Sequence, residues 1–284
     1  MNRSVGLILE GGGSRGVFTA GALDYLMEKN IYFPYVIGVS AGACNAVDYA
    51  AKQIGRTKEC MIVKEKAYQY VSLRNVITHR SLFDMDMIFD KFPNQYIPFD
   101  YDTFFKKDTF CELAVTNCLT GKAEYYSEYQ SGNRLMSLCR ASSSLPIVSP
   151  MVIIDQKPFL DGGIADSIPL LRSIRYGNEK HVVILTRKFH YRKKVDWKRD
   201  SFIKSYYHNY PELVRSILRR PIVYNRSLDN IEELERKGKI FVIRPNDKLI
   251  GRAEQNFGKL EAFYDHGYKM MEDQFDAMID YLGK

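Results

Sequence analysis

The stretch LILEGGGSRGVFTAGAL, residues 7–23, decides the fold, because an apolar segment runs through a glycine-rich turn into a second periodic segment. Val5–Glu10 has the short continuous apolar run of a buried strand, and Val17–Lys29 has apolar residues at helical spacing. Backbone N–H groups at the head of a helix are unpaired, and glycine lets a ligand approach them closely. The turn is therefore predicted to hold an anion. Its glycines are Gly11, Gly12, Gly13 and Gly16.

Two nucleotide-binding motifs compete for this turn. Gly11-x-Gly13-x-x-Gly16 fits the dinucleotide fingerprint, but that fingerprint requires an acidic residue about 20 positions on, after the second strand. The second predicted strand, Tyr35–Val39, leads into GVSAG instead, and no GK[ST] follows the glycines. The sequence favours another anion, such as the oxyanion formed on attack at an ester carbonyl. Dinucleotide binding is the weaker alternative, which tight NAD binding would revive.

The candidate nucleophile is Ser40. The segment Gly38-Val39-Ser40-Ala41-Gly42 lies between a predicted buried strand and a predicted helix, Ala41–Lys52. This is the nucleophile-elbow pattern, in which small flanking residues admit a sharp turn that exposes the serine. The alternative role for Ser40 is a helix N-cap.

A serine nucleophile needs a base. None of the five histidines sits in a glycine-bracketed loop, and the best rival, His266 in YDHGYK, falls in a segment with helical spacing. The better candidate is Asp161, which follows a short predicted strand and precedes Gly162 and Gly163. Asp-Gly is also common in hairpin turns. Asp155 and Asp166 are weaker alternatives. The remaining histidines are His79, His181, His190 and His208.

Alternating strands and helices along the chain predict an α/β layer fold with a mainly parallel central sheet. An aromatic-rich, mostly helical insert at about 58–108 and a basic segment are expected outside the sheet. Residues 1–190 are predicted to form the core, and residues 191–284 to pack on the same domain. The further predicted strands are Phe110–Asn117, Ala123–Ser127, Val152–Ile154, Pro158–Leu160, His181–Thr186 and Lys239–Ile243, with helices at Arg134–Ala141 and within Leu249–Tyr281.

The 284-residue chain carries a net charge of +7, which is concentrated in one segment. Residues 187–226 hold twelve Lys and Arg against three acidic residues, a local charge of +9. Such a patch suits nucleic acid, an anionic lipid surface or simple solvation, and we expect peripheral contact with an anionic membrane and no nucleic acid. Five cysteines without a CxxC pair indicate reduced thiols. With no leader or apolar span apparent, we expect a cytoplasmic protein, in part at the inner face of the membrane.

Together, GGGSRG at 11–16, GVSAG at 38–42 and DGG at 161–163 resemble the signature of the patatin-like phospholipase family, in its bacterial branch. The resemblance covers about residues 5–190. The closing stretch RPNDKLIGRAEQNFGKLEAFYDHG also looks like the tail of bacterial members. Three ordered motifs are far more specific than any one of them.

The resemblance implies a three-layer α/β/α hydrolase with a Ser–Asp dyad. No metal-ligand cluster is visible in the sequence, and we expect no metal and no cofactor. Ser40 would attack a carboxylic ester, Asp161 would act as base and then acid, and the glycine-loop amides, with Arg15 and Gly16, would form the oxyanion hole. The substrate would be an ester lipid or a small acyl ester. The insert at 58–108 is a candidate lid or acyl-binding wall, or ordinary packing. The alternative is a non-catalytic protein that binds lipid or membrane surfaces on the same scaffold.

Overall fold

The computed structural model describes residues 4–65, 68–70, 83–196, 200–246 and 250–283. Over these ranges, eight strands form one sheet in the order β5-β6-β3-β2-β1-β7-β8, with β4 paired to β3. The strands are β1 Val5–Leu9, β2 Tyr35–Val39, β3 Phe110–Asn117, β4 Ala123–Tyr126, β5 Val152–Ile154, β6 Lys157–Asp161, β7 Lys180–Ile184 and β8 Phe241–Ile243.

Helices cover both faces of the sheet. They are α1 Gly16–Glu28, α2 Ala41–Ala50, α3 Arg56–Met61, a π-helical segment Met87–Tyr96, α4 Tyr101–Phe105, α5 Gly132–Ser143, α6 Leu170–Tyr176, α7 Asp200–Tyr206, α8 Pro211–Arg236 and α9 Phe257–Gly283. The predicted helical insert is only partly helical where it is described, and residues 66–67 and 71–82 of it, with His79, lie outside the described residues.

The sheet is parallel from β3 through β2, β1 and β7 to β8, and antiparallel at β4, β5 and β6. The prediction of an α/β fold with a mainly parallel sheet is confirmed. Leu9 pairs with Gly38, so the glycine turn after β1 and the serine turn after β2 leave the sheet side by side. Because β6 runs antiparallel to β3, Asp161 pairs with Val115, one residue beyond the partner of Val39. Strand register thus brings three distant motifs to one edge.

Alternate residues of the central strands supply two cores, as expected when helices cover both faces. Leu7 and Leu9 face a core that α1, α2, α5 and α9 complete, whereas Ile8 faces a core with α6 and α8. Both groups are fully buried. The two helical layers and the sheet between them make three layers. The candidate site lies at the end of the sheet, where the described helices do not cover it.

The last helix packs closely along the first. A Cβ on Gly21 would overlap Tyr264 O, and a Cβ on Gly267 would overlap Phe18 O, so glycine lets the backbones of α1 and α9 touch. Because β8 also extends the sheet beside β7, the carboxyl-terminal part of the chain is built into the same layers. Across the described ranges, no helix combines the length and apolar character needed to cross a bilayer. All five cysteines are free thiols.

Candidate active site

Ser40 occupies a strained turn between β2 and α2. Its φ of 57° and ψ of −126° are unfavourable for a side-chain-bearing residue, at a cost of about 1–3 kcal/mol. The turn needs small neighbours: a Cβ on Gly38 would overlap Gly42 O, and a Cβ on Gly42 would lie 2.5 Å from Leu9 O. The elbow predicted from GVSAG therefore forms. Ser40 precedes α2 without capping it through its side chain.

The strained turn is held from below by α5. The Ser40 N–H donates to Ser142 Oγ at 2.9 Å, and the Ser142 hydroxyl donates to Ala114 O at 2.7 Å. Ser142 is fully buried. One side chain thus joins the elbow, the last turn of α5 and β3.

Asp161 ends β6 and caps the 3₁₀ turn that follows. Its backbone is fixed by two bonds, N–H to Ser144 O at 2.7 Å and carbonyl from Thr116 Oγ1 at 2.9 Å. Asp161 Oδ1 accepts from Gly163 N–H at 2.7 Å. Its other oxygen, Oδ2, is buried and has no hydrogen-bond partner among the described residues. A carboxylate oxygen in that state is an unused proton acceptor.

The glycine turn passes over the serine. A Cβ on Gly11 would lie 3.0 Å from Ser40 Cβ, and Gly13 adopts a φ of +59° where a Cβ would lie 2.5 Å from Arg252 O. The N–H groups of Gly11 and Gly12 donate to no acceptor in the part of the chain that the structure describes. Two amides beside the serine are thus free to bind an anion. Gly16 instead opens α1 and packs against Ala41.

Ser40 lies where two cavities meet. One, of about 20 Å³, is lined by the predicted site residues Gly11, Gly12, Gly13, Arg15, Ser40, Asp161 and Gly163. The second, of about 130 Å³, shares Gly13 and Ser40 with the first and extends between α2, α3, α5 and the insert. Both residues of the predicted dyad therefore face one space. No hydrogen bond joins the Ser40 hydroxyl to Asp161, although both residues lie within the described ranges.

The smaller cavity is rich in cations that the motifs do not predict, apart from Arg15. Arg187, Lys193, Arg220 and Arg252 also line it, and they come from the basic segment and the loop before α9. Burial, with the nearby charge of Arg187, lowers the pKa of Arg15 to about 10. Burial, with the charge of Arg220, lowers the pKa of Lys193 to about 6. The site is therefore an electropositive pocket.

Glu10 anchors one wall of this pocket. Its carboxylate accepts from Thr186 N–H at 2.7 Å and from the Tyr224 hydroxyl at 2.6 Å. Because Tyr224 belongs to α8, this contact ties the end of β1 to the carboxyl-terminal part of the chain. The sequence places Glu10 at the end of the first predicted strand, but no sequence pattern indicates its contact with α8.

The alternative bases lie elsewhere. The four described histidines are absent from the linings of both cavities. His181 is buried in β7 against Ser173, and the His266 ring contacts Phe18 and Phe263. The weaker carboxylates are engaged as well, Asp155 with Arg134 at 2.6 Å and Asp166 with the Tyr125 hydroxyl at 2.7 Å. Among the described candidates, Asp161 is the one that shares a cavity with Ser40.

A family model for patatin-like phospholipase matches residues 7–173, more than half of the chain. The chain belongs to the patatin-like phospholipase family. The match covers the glycine turn, the elbow and the DGG motif, and so confirms the resemblance drawn from those motifs. A second model, for a domain of unknown function (DUF6363), matches residues 210–283, which include α8, β8 and α9.

Among relatives of this patatin-like chain, the uncharacterized protein YjjU of Escherichia coli is 29% identical over 187 residues, or 64% of this chain and 52% of YjjU. Lysophospholipase NTE1 of Candida albicans is 25% identical over 96% of this chain. The chain spans about half the length of YjjU and 20% of that lysophospholipase. VipD from Legionella pneumophila, at 13% identity, has a TM-score of 0.53 over 97% of this chain and 67% of VipD, and shares the fold.

Proposed function

We propose that this protein is a serine lipid acyl hydrolase that cleaves carboxylic esters through a Ser40–Asp161 dyad. The observation that carries the proposal is the shared cavity: a strained serine, a buried carboxylate oxygen without a partner among the described residues, and free glycine amides all face it. The family match and the resemblance to two lysophospholipases support an ester lipid as substrate.

The proposed reaction begins when substrate closes the gap between Ser40 and Asp161. Hydrogen bonds of catalytic groups are often long before substrate binds and tighten in the complex. Asp161 Oδ2 then takes the hydroxyl proton as Ser40 Oγ attacks the ester carbonyl. The Gly11 and Gly12 amides stabilise the oxyanion, and Asp161 returns the proton to the leaving alcohol. Water activated by Asp161 then hydrolyses the acyl-enzyme and releases the fatty acid.

The larger cavity fits an acyl chain. Apolar side chains line most of it, several of them from the insert, which supports the role of acyl-binding wall for that part of the chain: Val47, Met61, Tyr70, Phe83, Met85, Ile88, Phe89 and Met136. Asp48 and Arg56, paired at 2.6 Å, also line it. The acyl chain of the substrate would extend from Ser40 towards the insert.

The dyad is tested by two substitutions and a label. We expect Ser40→Ala and Asp161→Asn each to lower the kcat of p-nitrophenyl ester hydrolysis by about a thousandfold or more, because each removes a covalent or proton-transfer step. A fluorophosphonate should label wild type and not Ser40→Ala, with the circular dichroism spectra unchanged.

His266→Ala is the control for the rival base, and it should retain activity. An inactive His266→Ala with an active Asp161→Asn would replace the dyad by a Ser–His arrangement. A protein that fluorophosphonates do not label and that hydrolyses no ester would instead be a non-catalytic lipid-binding protein on this scaffold.

We also propose peripheral contact with an anionic membrane through residues 187–226, on the cytoplasmic side. Supporting this, Phe202 and Tyr206 of α7 are each 54% exposed and lie one helical turn apart, and Lys204 of the same helix is also exposed. Aromatic rings and lysines together suit a lipid interface.

Sedimentation with vesicles tests the membrane contact. Wild type should bind vesicles with 30% phosphatidylglycerol about tenfold more tightly than pure phosphatidylcholine, and Phe202→Ser with Lys204→Glu should remove the difference. Leu119→Ser, an exposed apolar residue on the β3–β4 turn, is the control. Equal binding to both vesicles would exclude the contact.

A further inference from the structure

The glycine turn between β1 and α1 has little of its own to fix its shape. Residues 11–13 are three successive glycines, which carry no side chain to pack and have wide backbone freedom. Gly13 holds a φ of +59°, in the left-handed region. The Gly11 and Gly12 amides must nevertheless keep fixed positions to stabilise an oxyanion, because such a site works through donors that are already in place. The contacts that hold the turn must therefore come from elsewhere in the chain.

One anchor lies at the start of the turn. Glu10, directly before Gly11, is buried, and one of its carboxylate oxygens accepts the Thr186 N–H at 2.7 Å. Its other oxygen accepts the Tyr224 hydroxyl at 2.6 Å. Tyr224 is also buried and lies in the middle of α8. A residue of α8 thus fixes the side chain that precedes the glycines.

A second anchor lies at the end of the turn, where Ser14 follows Gly13. The Ser14 N–H donates to Arg252 O at 2.8 Å. The Ser14 hydroxyl donates to Glu254 O at 3.1 Å. A Cβ on Gly13 would lie 2.5 Å from Arg252 O, so glycine is what lets the two backbones come this close. The loop before α9 therefore lies against the turn through its main chain.

The loop before α9 is itself fixed to that helix. Glu254 Oε1 accepts the N–H groups of Gln255 and Asn256, each at 3.1 Å. Asn256 Oδ1 in turn accepts the Lys259 N–H at 3.0 Å, in the first turn of α9. Because α9 packs closely along α1, which begins just after the glycine turn at Gly16, one helix pair carries both the loop and the turn.

Both anchors come from one part of the chain. The residues that supply them, Tyr224, Arg252 and Glu254, lie within residues 210–283, which the model for a domain of unknown function matches. The turn that they hold lies within residues 7–173, the patatin-like match. The carboxyl-terminal segment therefore reaches the patatin-like segment at both ends of the loop that would carry the oxyanion.

We propose that residues 210–283 position the oxyanion-binding amides of the hydrolase, through Tyr224 at one end of the turn and the main chain of Arg252 and Glu254 at the other. The proposal rests on the proposed hydrolase function and adds positioning residues to it, since these contacts act on the turn and not on the ester. A displacement of about 1 Å at a catalytic group can cost up to about a hundredfold in rate. Loss of either anchor should therefore weaken the stabilisation of the transition state more than the binding of substrate.

Two substitutions, one at each anchor, test the proposal with p-nitrophenyl decanoate as the substrate. Tyr224→Phe removes the hydroxyl bound to Glu10, and Ser14→Ala removes the hydroxyl bound to Glu254 O. We expect each to lower kcat at least about fivefold, with KM changed less than about twofold. The Ki of a decyl trifluoromethyl ketone, whose adduct with Ser40 carries an oxyanion, should rise in the same proportion, because this inhibitor and the transition state use the same amides.

Tyr264→Phe is the matched control, because it also removes a buried bond between a tyrosine of residues 210–283 and a carboxylate. The Tyr264 hydroxyl donates to Asp24 at 2.7 Å, and neither residue lines the cavities at Ser40. Urea unfolding should show a loss of stability, whereas kcat and the Ki of the ketone should stay within about twofold of wild type. Equal losses of kcat in Tyr264→Phe and Tyr224→Phe would mean that lower stability, and not a displaced turn, reduces the rate, and the positioning role would be wrong.

The outcomes separate this proposal from the hydrolase function on which it rests. A wild type that fluorophosphonates do not label and that cleaves no ester would overturn the hydrolase. An active, labelled wild type whose kcat and ketone Ki are unchanged in both Tyr224→Phe and Ser14→Ala would overturn the positioning role alone. If Tyr224→Phe does not fold, Ser14→Ala decides, since its side chain is half-buried and its backbone bond to Arg252 remains.

Discussion

Ser40 holds its strained conformation because neighbouring residues fix the turn from two sides. Above it, Gly11 lies close to the serine Cβ, and below it, Ser142 accepts the Ser40 N–H at 2.9 Å. Strain of this kind persists only where surrounding contacts over-determine it. The contact with Ser142 is therefore expected to matter for catalysis as well as for stability.

Ser142→Ala tests this support. The variant leaves a buried N–H at Ser40 without its acceptor and removes the donor to Ala114 O, so we expect the free energy of unfolding to fall by about 1–3 kcal/mol. Relaxation of the elbow should also lower kcat about tenfold, with less change in KM. Urea unfolding and ester kinetics measure the two effects.

Ser137→Ala is the matched control, because this half-buried serine lies on the same helix and its hydroxyl donates to Asn133 O one turn earlier. It should change neither quantity. A Ser142→Ala variant with wild-type kcat would show that the elbow keeps its shape without this bond.

At the scale of residues, the sequence predicts those parts of the site that belong to short motifs. Ser40, Asp161 and the turn glycines could be found because each motif places special residues beside a strand end. Ser142 and Arg220 could not be found in this way. Ser142 acts through its contact with Ser40, which is 102 positions away in the sequence. Arg220 lines a cavity that residues from several loops form together.

At the scale of elements, the contact between α1 and α9 joins the two matched segments. Gly21 and Gly267 allow the helix backbones to touch, and the Tyr264 hydroxyl donates to buried Asp24 at 2.7 Å across the same contact. Burial raises the pKa of Asp24, which fits a carboxylate held inside a helix pair.

Gly267→Ala is expected to separate these helices. Its Cβ would overlap Phe18 O, which is backbone and cannot move aside cheaply, so we expect a loss of at least about 2 kcal/mol in the free energy of unfolding. Thermal unfolding followed by circular dichroism measures the effect.

Gly258→Ala, in the first turn of the same helix, is the opposite case. Its Cβ would meet only Asn256 Oδ1 at an ordinary 3.5 Å, and alanine favours a helix, so this change should be neutral or stabilising. Equal stability of the two variants would mean that the helices are not in close contact in solution.

The elements themselves were largely predictable, because the strands are short apolar runs bounded by turns. Predicted bounds such as Tyr35–Val39 and Phe110–Asn117 are confirmed. The long helix α8 was not predicted. It begins at Pro211, contains Pro221, and draws its buried residues from only a narrow stripe, so the basic charges dominate its pattern.

At the scale of the whole molecule, stability depends on groups buried in the sheet far from the site. His181 lies in β7 with 5% exposure. Its ring Nδ1 is 3.1 Å from Ser173 Oγ, and its backbone N–H donates to the Tyr281 hydroxyl. Burial lowers the pKa of His181 to about 4 from an ordinary value of 6.5. The folded protein thus resists protonation that the unfolded chain accepts.

The direction of the pH dependence follows from that difference. Above pH 6.5 the His181 ring is neutral in both the folded and the unfolded state, so its titration takes nothing from the free energy of unfolding. As pH falls towards 4, the unfolded chain binds the proton first, and stability declines by about 3 kcal/mol in total. Buried Asp24 and Asp166, whose pKa values are raised by burial, act in the opposite sense in the acid range.

A comparison of variants therefore isolates the histidine. Urea unfolding between pH 7 and pH 4.5 should show a shallower decline in His181→Gln than in wild type, because the carboxylates titrate alike in both proteins. His208→Gln, at an exposed position, should follow wild type throughout. Parallel curves for wild type and His181→Gln would mean that water reaches the ring in the folded protein, and that the sheet around β7 opens more readily than its packing implies.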